Sequence, residues 1–77
     1  MWFVAYPQDH TPRHVHAFVG EAEVIIDLRE DGCVALADRI DAVRPGNAKR
    51  ADVKTALYVA AENFEELVLL WEKMHEE

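Results

Sequence analysis

Two apolar-rich runs, His14–Val19 and Ala22–Leu28, are separated by only Gly20 and Glu21, and this spacing constrains the chain more than any other feature. A two-residue loop with glycine first suits a type II′ turn, whose twist matches that of the strands it joins. The register then follows: Val19 faces Ala22, Ala17 faces Val24, and Val15 faces Ile26. All six side chains are apolar and share one face, so turn chemistry and the period-two pattern agree. The opposite face pairs Phe18 with Glu23, His16 with Ile25, and His14 with Asp27.

The flanks extend this hairpin. Trp2–Tyr6 is aromatic and β-favouring, and Pro7 ends it by removing a ladder donor. Glu30-Asp31-Gly32 suits a three-residue loop closed by a left-handed glycine. That loop sets Leu28 against Val34 and Ile26 against Leu36. Residues 1–38 are therefore expected to form a meander of three to four antiparallel strands with one apolar face.

Residues 39–47 read as a connector carrying Pro45-Gly46, with Asn47 the expected cap of a following helix. Beyond it, Val53, Ala56, Leu57 and Ala60 recur at helical spacing. Asn63 offers a second cap, and Glu66 three residues later completes a capping-box pattern. Phe64, Leu67, Val68, Trp71 and Met74 then repeat at three and four residues. Two helices meeting near Asn63 are expected over residues 48–77, in preference to one bent helix. Laying their apolar faces on the sheet gives an α+β fold, a small antiparallel sheet covered on one face by two C-terminal helices. Val59, Leu69 and Leu70 lie off the main stripes, which fits either a wide buried face or a contact with a partner or second copy.

Size and charge narrow the function classes. A chain of 77 residues buries only about 60% of its unfolded surface, which allows one modest core and a single domain over 1–77. Barrel enzymes and doubly wound nucleotide-binding sheets are excluded. The net charge of −7 disfavours nonspecific binding of nucleic acid by the free domain. One island reverses the sign: Arg39, Arg44, Lys49, Arg50 and Lys54 outnumber two acids over residues 39–54. It reads either as a solvated loop and first helical turn or as an anion or partner contact. Cys33 is the only cysteine, which excludes an intrachain disulfide and a cysteine-based zinc site. No apolar run, Leu67–Trp71 included, is longer than six residues, far short of a membrane span. With no basic-then-apolar leader at the start, a cytoplasmic location is expected.

One local cluster carries chemical potential: Asp9-His10-Thr11-Pro12-Arg13-His14-Val15-His16. On an extended strand His14 and His16 point to one face, about 6.5–7 Å apart by strand rise. Such a pair serves two metal-bound imidazoles, or one acid and one base. Asp27, opposite His14, is placed to fix that ring's tautomer. His10, at the turn, is a candidate third ligand, and Arg13 a candidate phosphate contact. Three uses stay open: structural or interfacial histidines, a catalytic pair in a small RNase or phosphodiesterase, and a divalent metal site of the zinc type. Trp2 and Trp71 read as core or rim packing. His75, in the last helical turn, complements the helix dipole and receives no functional role.

Phe3-Val4-Ala5-Tyr6, Asp9-His10, Thr11-Pro12 and His14-Val15-His16-Ala17 together resemble a domain-of-unknown-function family, number 4160. Glu21–Leu28 is similar to its second sheet strand, and Glu62–Leu67 with Trp71 to its terminal helix. Arg13 departs from the pattern, standing where many members carry a second proline. The resemblance implies a small bacterial or phage-type protein. It also implies one component, antitoxin-like, of a two-gene toxin–antitoxin-like cassette. The partner so implied is a protein of the domain-of-unknown-function 2442 type, and a homodimer is the other assembly expected. An acidic component suits a basic partner, because complementary charge speeds encounter.

Overall fold

The computed structural model describes residues 1–75. Five strands form one antiparallel sheet: β1 (Trp2–Val4), β2 (His14–Val19), β3 (Ala22–Leu28), β4 (Val34–Leu36) and β5 (Val43–Arg44). Two helices follow, α1 (Arg50–Glu62) and α2 (Phe64–His75). Glu76 and Glu77, the end of the helical segment expected from the sequence, lie outside the described residues.

The hairpin has the register its turn dictates. Val19 pairs with Ala22, Ala17 with Val24 and Val15 with Ile26, while Phe18, His16 and His14 pair with Glu23, Ile25 and Asp27. Gly20 has φ +57°, and among the described residues only glycines take a positive φ. A type I′ turn needs positive φ at both loop positions, so the loop belongs to the type II′ class. Gly32 takes φ +88° and closes the next loop, setting Leu28 against Val34 and Ile26 against Leu36.

Strand β1 is shorter than expected and pairs with β2 as an edge, Trp2 opposite Phe18 and Val4 opposite His16. The connector holds a strand that the residue pattern does not announce. Val43 and Arg44 pair with Val24 and Glu23, so β5 shares with β4 the far edge of β3. Between them the chain bulges and is tied to Ile25 twice. The Ile25 N–H donates to the Ala42 carbonyl (2.7 Å), and the Ala37 N–H donates to the Ile25 carbonyl (3.0 Å).

Both faces of the central hairpin are covered, by different material. One face carries Val15, Ala17, Val19, Ala22, Val24, Ile26 and Leu28, buried with Ala56 and Ala60 of α1 and Leu67 and Trp71 of α2. The other buries Ile25 with Ala37 and Ala42, and with them His14 and His16. At about 25 cal/mol per Å² the helix-covered face supplies most of the hydrophobic stabilisation, since it holds the larger apolar set.

The helix ends differ from expectation in detail. Lys49, not Asn47, occupies the N-cap of α1, and no side chain caps it. The helices do meet at Asn63, which ends α1. Its amide Nδ2 donates back to the Val59 carbonyl at 2.8 Å and its N–H to the Val59 and Ala60 carbonyls, and among the described residues no capping bond joins it to Glu66. Glu65 and Glu66 in the first turn of α2, with Lys73 and His75 in the last, complement the helix dipole. Among the described residues no helix is long and apolar enough to cross a membrane.

Candidate metal centre

The paired histidines of β2 turn to the face opposite Val15 and Ala17, where the chain between β1 and β2 folds across them and Trp71 of α2 reaches His14. His14 and His16 are each 7% exposed, with ring centroids 5.4 Å apart. Each ring is oriented through Nδ1. That of His14 donates to the Pro12 carbonyl at 2.8 Å, and that of His16 to Glu23 Oε2 at 2.8 Å. With the proton on Nδ1, a neutral imidazole carries its lone pair on Nε2. Both Nε2 atoms face the same carboxylate oxygen, Asp9 Oδ2, at 3.4 Å from His14 and 3.1 Å from His16.

Asp9 is held there by its own turn. Its N–H donates to the Tyr6 carbonyl at 3.1 Å, and the Tyr6 N–H returns a bond to Oδ2 at 3.3 Å. The Tyr6 ring stands edge-on to His16, centroids 4.8 Å apart. From the other side, Glu23 Oε1 accepts from Arg44, its cross-strand partner on β5. The chain Arg44–Glu23–His16 thus fixes one imidazole through a carboxylate, as outer partners of metal-bound histidines do.

Three lone-pair atoms, Asp9 Oδ2, His14 Nε2 and His16 Nε2, therefore lie within 4.8 Å of one another. Like-signed lone pairs repel, and a cation among them, a proton on Nε2 or a metal ion, relieves that repulsion. A proton on His16 Nε2 answers one contact. His14 Nε2 remains buried and without a hydrogen-bond partner. Atoms coordinating an ion at about 2.0–2.2 Å sit about 3–3.6 Å apart; the two Asp9 distances fall in that range, and the whole group is bounded by 4.8 Å. Two imidazoles and a carboxylate are a donor set for zinc and related divalent ions.

The residues singled out from the sequence fare unequally. His14 and His16 come together. His10 is exposed and outside the cluster; Asp9, one position earlier, takes the third place, because the turn directs its carboxylate inward. Asp27 faces His14 in register but makes no hydrogen bond to it; the Pro12 carbonyl orients that ring instead. Arg13 is engaged by its own fold, donating from Nε to the Leu28 carbonyl (2.8 Å) and from Nη2 to the Arg29 carbonyl (3.2 Å), with Phe64 beneath it. Those bonds leave it poorly placed to clamp a phosphate.

The basic island is divided. Arg39 pairs with Asp41 at 2.6 and 3.1 Å, which holds the Asp41 carboxyl below the usual carboxylate range and raises the guanidinium. Arg44 serves Glu23. Lys49, Arg50 and Lys54 are exposed and form no ion pair among the described residues. Trp71 is buried and packs against His14, whereas Trp2 is exposed and stacks on Phe18. The residue pattern does not announce Asp9 as the third member of the cluster, Glu23 as an orienting carboxylate, or His75, whose Nε2 lies 2.9 Å from the Asp9 carbonyl. The one local signal was a carboxylate in the turn just before a His-x-His strand.

A family model described as "Domain of unknown function (DUF4160)" matches residues 1–72 of the chain. No curated protein and no solved structure matches it.

Proposed function

For this chain, which belongs to the DUF4160 family of domains of unknown function, we propose that it is a small domain holding one divalent ion of the zinc type. Asp9, His14 and His16 are the protein ligands. The observation that carries the reading is the buried, unpartnered Nε2 of His14, 3.4 Å from Asp9 Oδ2 and with its Nδ1 already committed to a backbone carbonyl. Glu23, held by Arg44, orients His16. Three protein donors leave at least one coordination position for water or a ligand. Catalysis of RNA cleavage by His14 and His16 as an acid–base pair has less support. Both rings are buried, and both Nδ1 atoms are engaged within the protein.

Zinc titration by calorimetry at neutral pH tests the assignment, with cobalt(II) absorption reporting nitrogen–oxygen coordination. One ion per chain is expected, with affinity reduced at least ~100-fold in both Asp9→Asn and His14→Ala, the upper end of what loss of an outer partner alone causes. A wild-type chain that stays folded and gives no isotherm ends the reading.

A partner-binding role is supported by a separate observation. Tyr58 on α1 and Leu69 on α2 are 67% and 63% exposed, large apolar surfaces on helices whose inner faces are already packed. With a net charge of −7, this surface suits a basic protein partner, and the antitoxin-like role beside a 2442-type protein is the form it takes. Coexpression followed by size-exclusion chromatography tests it; separate elution at micromolar concentration refutes it.

A further inference from the structure

Helix α2 packs on the sheet through apolar side chains, with Phe64, Val68 and Leu70 partly buried against the core. Only Leu67 and Trp71 of its twelve residues are buried. Among the described residues, one hydrogen bond joins α2 to the strands and their loops: His75 Nε2 to the Asp9 carbonyl, 2.9 Å across 66 positions of sequence. The same ring places Nδ1 2.7 Å from the Trp71 carbonyl and stacks on the Trp71 indole, centroids 3.7 Å apart; both oxygens only accept, so the neutral ring donates to one of them, and the Nε2–H tautomer is the one that bonds Asp9. Trp71 in turn lies against His14, centroids 5.3 Å apart. Asp9 is thus shared, with its carboxylate facing the two β2 imidazoles and its carbonyl facing α2.

Resting on the metal-site reading above, we propose that ion occupancy at Asp9, His14 and His16 is relayed to the C-terminal turn of α2, with His75 as the positioning residue. An ion converts the contact between one carboxylate oxygen and two imidazole lone pairs into three bonds to a common centre. The Asp9 turn is then held more firmly against β2, and its carbonyl becomes a fixed acceptor for His75. Reciprocity follows from linkage: whatever factor the ion adds to docking of α2, docked α2 adds to ion affinity. The relay runs through atoms in direct contact, so it needs no second conformation of the sheet. Its consequence is a helix end whose local opening depends on metal.

Amide hydrogen exchange over residues 70–75, with zinc present or removed by chelator, tests the relay. In the wild type zinc is expected to slow exchange there about fivefold or more, the lower range of ordinary coupling between sites. His75→Phe keeps a ring to stack on Trp71 and lacks the N–H. In that variant the zinc effect falls below about twofold, and zinc affinity drops by the factor lost at the helix. His75→Gln, whose amide N–H can reach the same carbonyl, recovers part of both. A purely structural His75 would speed exchange equally with and without zinc in His75→Phe, and that outcome overturns the relay. So does a zinc isotherm with no change at α2 in the wild type, which leaves the metal site standing. Absence of any zinc isotherm removes both.

Discussion

The two faces of strand β2 are buried to similar extents by opposite means. Val15, Ala17 and Val19 are covered by helices in a dry apolar layer, where each side chain needs only volume and contact. His14 and His16, the alternate residues of the same strand, are covered by the Asp9 turn and by Trp71, and each nitrogen needs a partner of the right kind. An alternating strand ordinarily implies one face in water. Here the second face is closed over by loops, and closure of polar side chains is tolerable only where donors and acceptors are matched. The apolar face determines whether the chain folds. The histidine face gathers the candidate ligand atoms.

The comparison is broken most strongly on the apolar side. Ile26→Ala removes a fully buried side chain from the helix-covered layer and is expected to cost about 2–5 kcal/mol in denaturant unfolding. The separations among Asp9, His14 and His16 should survive in whatever fraction remains folded, so on the proposed function one zinc per chain is expected at low temperature. Loss of stoichiometry there would show that the two faces are not separable. A smaller effect sharpens the polar side. Glu23→Gln keeps the shape of the group that orients His16 while weakening it as an acceptor. Zinc affinity is expected to fall about 10-fold, and thermal stability in chelator should change far less than in Ile26→Ala. An unchanged affinity would detach Glu23 and Arg44 from the site.

The smallest effect lies outside both faces and serves as their control. Asp41 is partly exposed and its carboxyl lies below its ordinary range, chiefly because Arg39 hydrogen-bonds to it. A depressed carboxyl contributes stability above its unfolded pKa and loses it as pH falls through the folded value. The contribution is slight, because solvent screens such a pair. Side-chain NMR should place the Asp41 midpoint below that of an ordinary aspartate, moving up in Arg39→Ala. Zinc binding at neutral pH should be the same in that variant. A midpoint already in the ordinary range would argue against the Arg39 pairing.

Much of this division is legible in the order of the residues. Gly20-Glu21 between two alternating runs admits one register, and all six pairs of that register are present. Helical spacing and the cap at Asn63 locate the two helices, although the Asn63 side chain bonds backward to Val59 and not forward to the next turn. Strand β5 is illegible because two residues before a proline show no alternation, and their pairing is supplied by the free edge of β3. For the candidate site, His14 and His16 follow from strand periodicity. Asp9 does not, because a turn has no period from which to read where a carboxylate points. Choosing His10 over Asp9 reflects that gap.

By itself, the sequence determined the hairpin, its register and the separation of apolar from histidine positions, since each depends on neighbours within a few residues and on the twofold period of a strand. Only the tertiary structure decided what covers each face. Asp9, His14, Glu23, Arg44 and His75 come from a turn, three strands and the end of the last helix. Their meeting depends on loop closure and packing across the whole chain, for which no local pattern of residues exists.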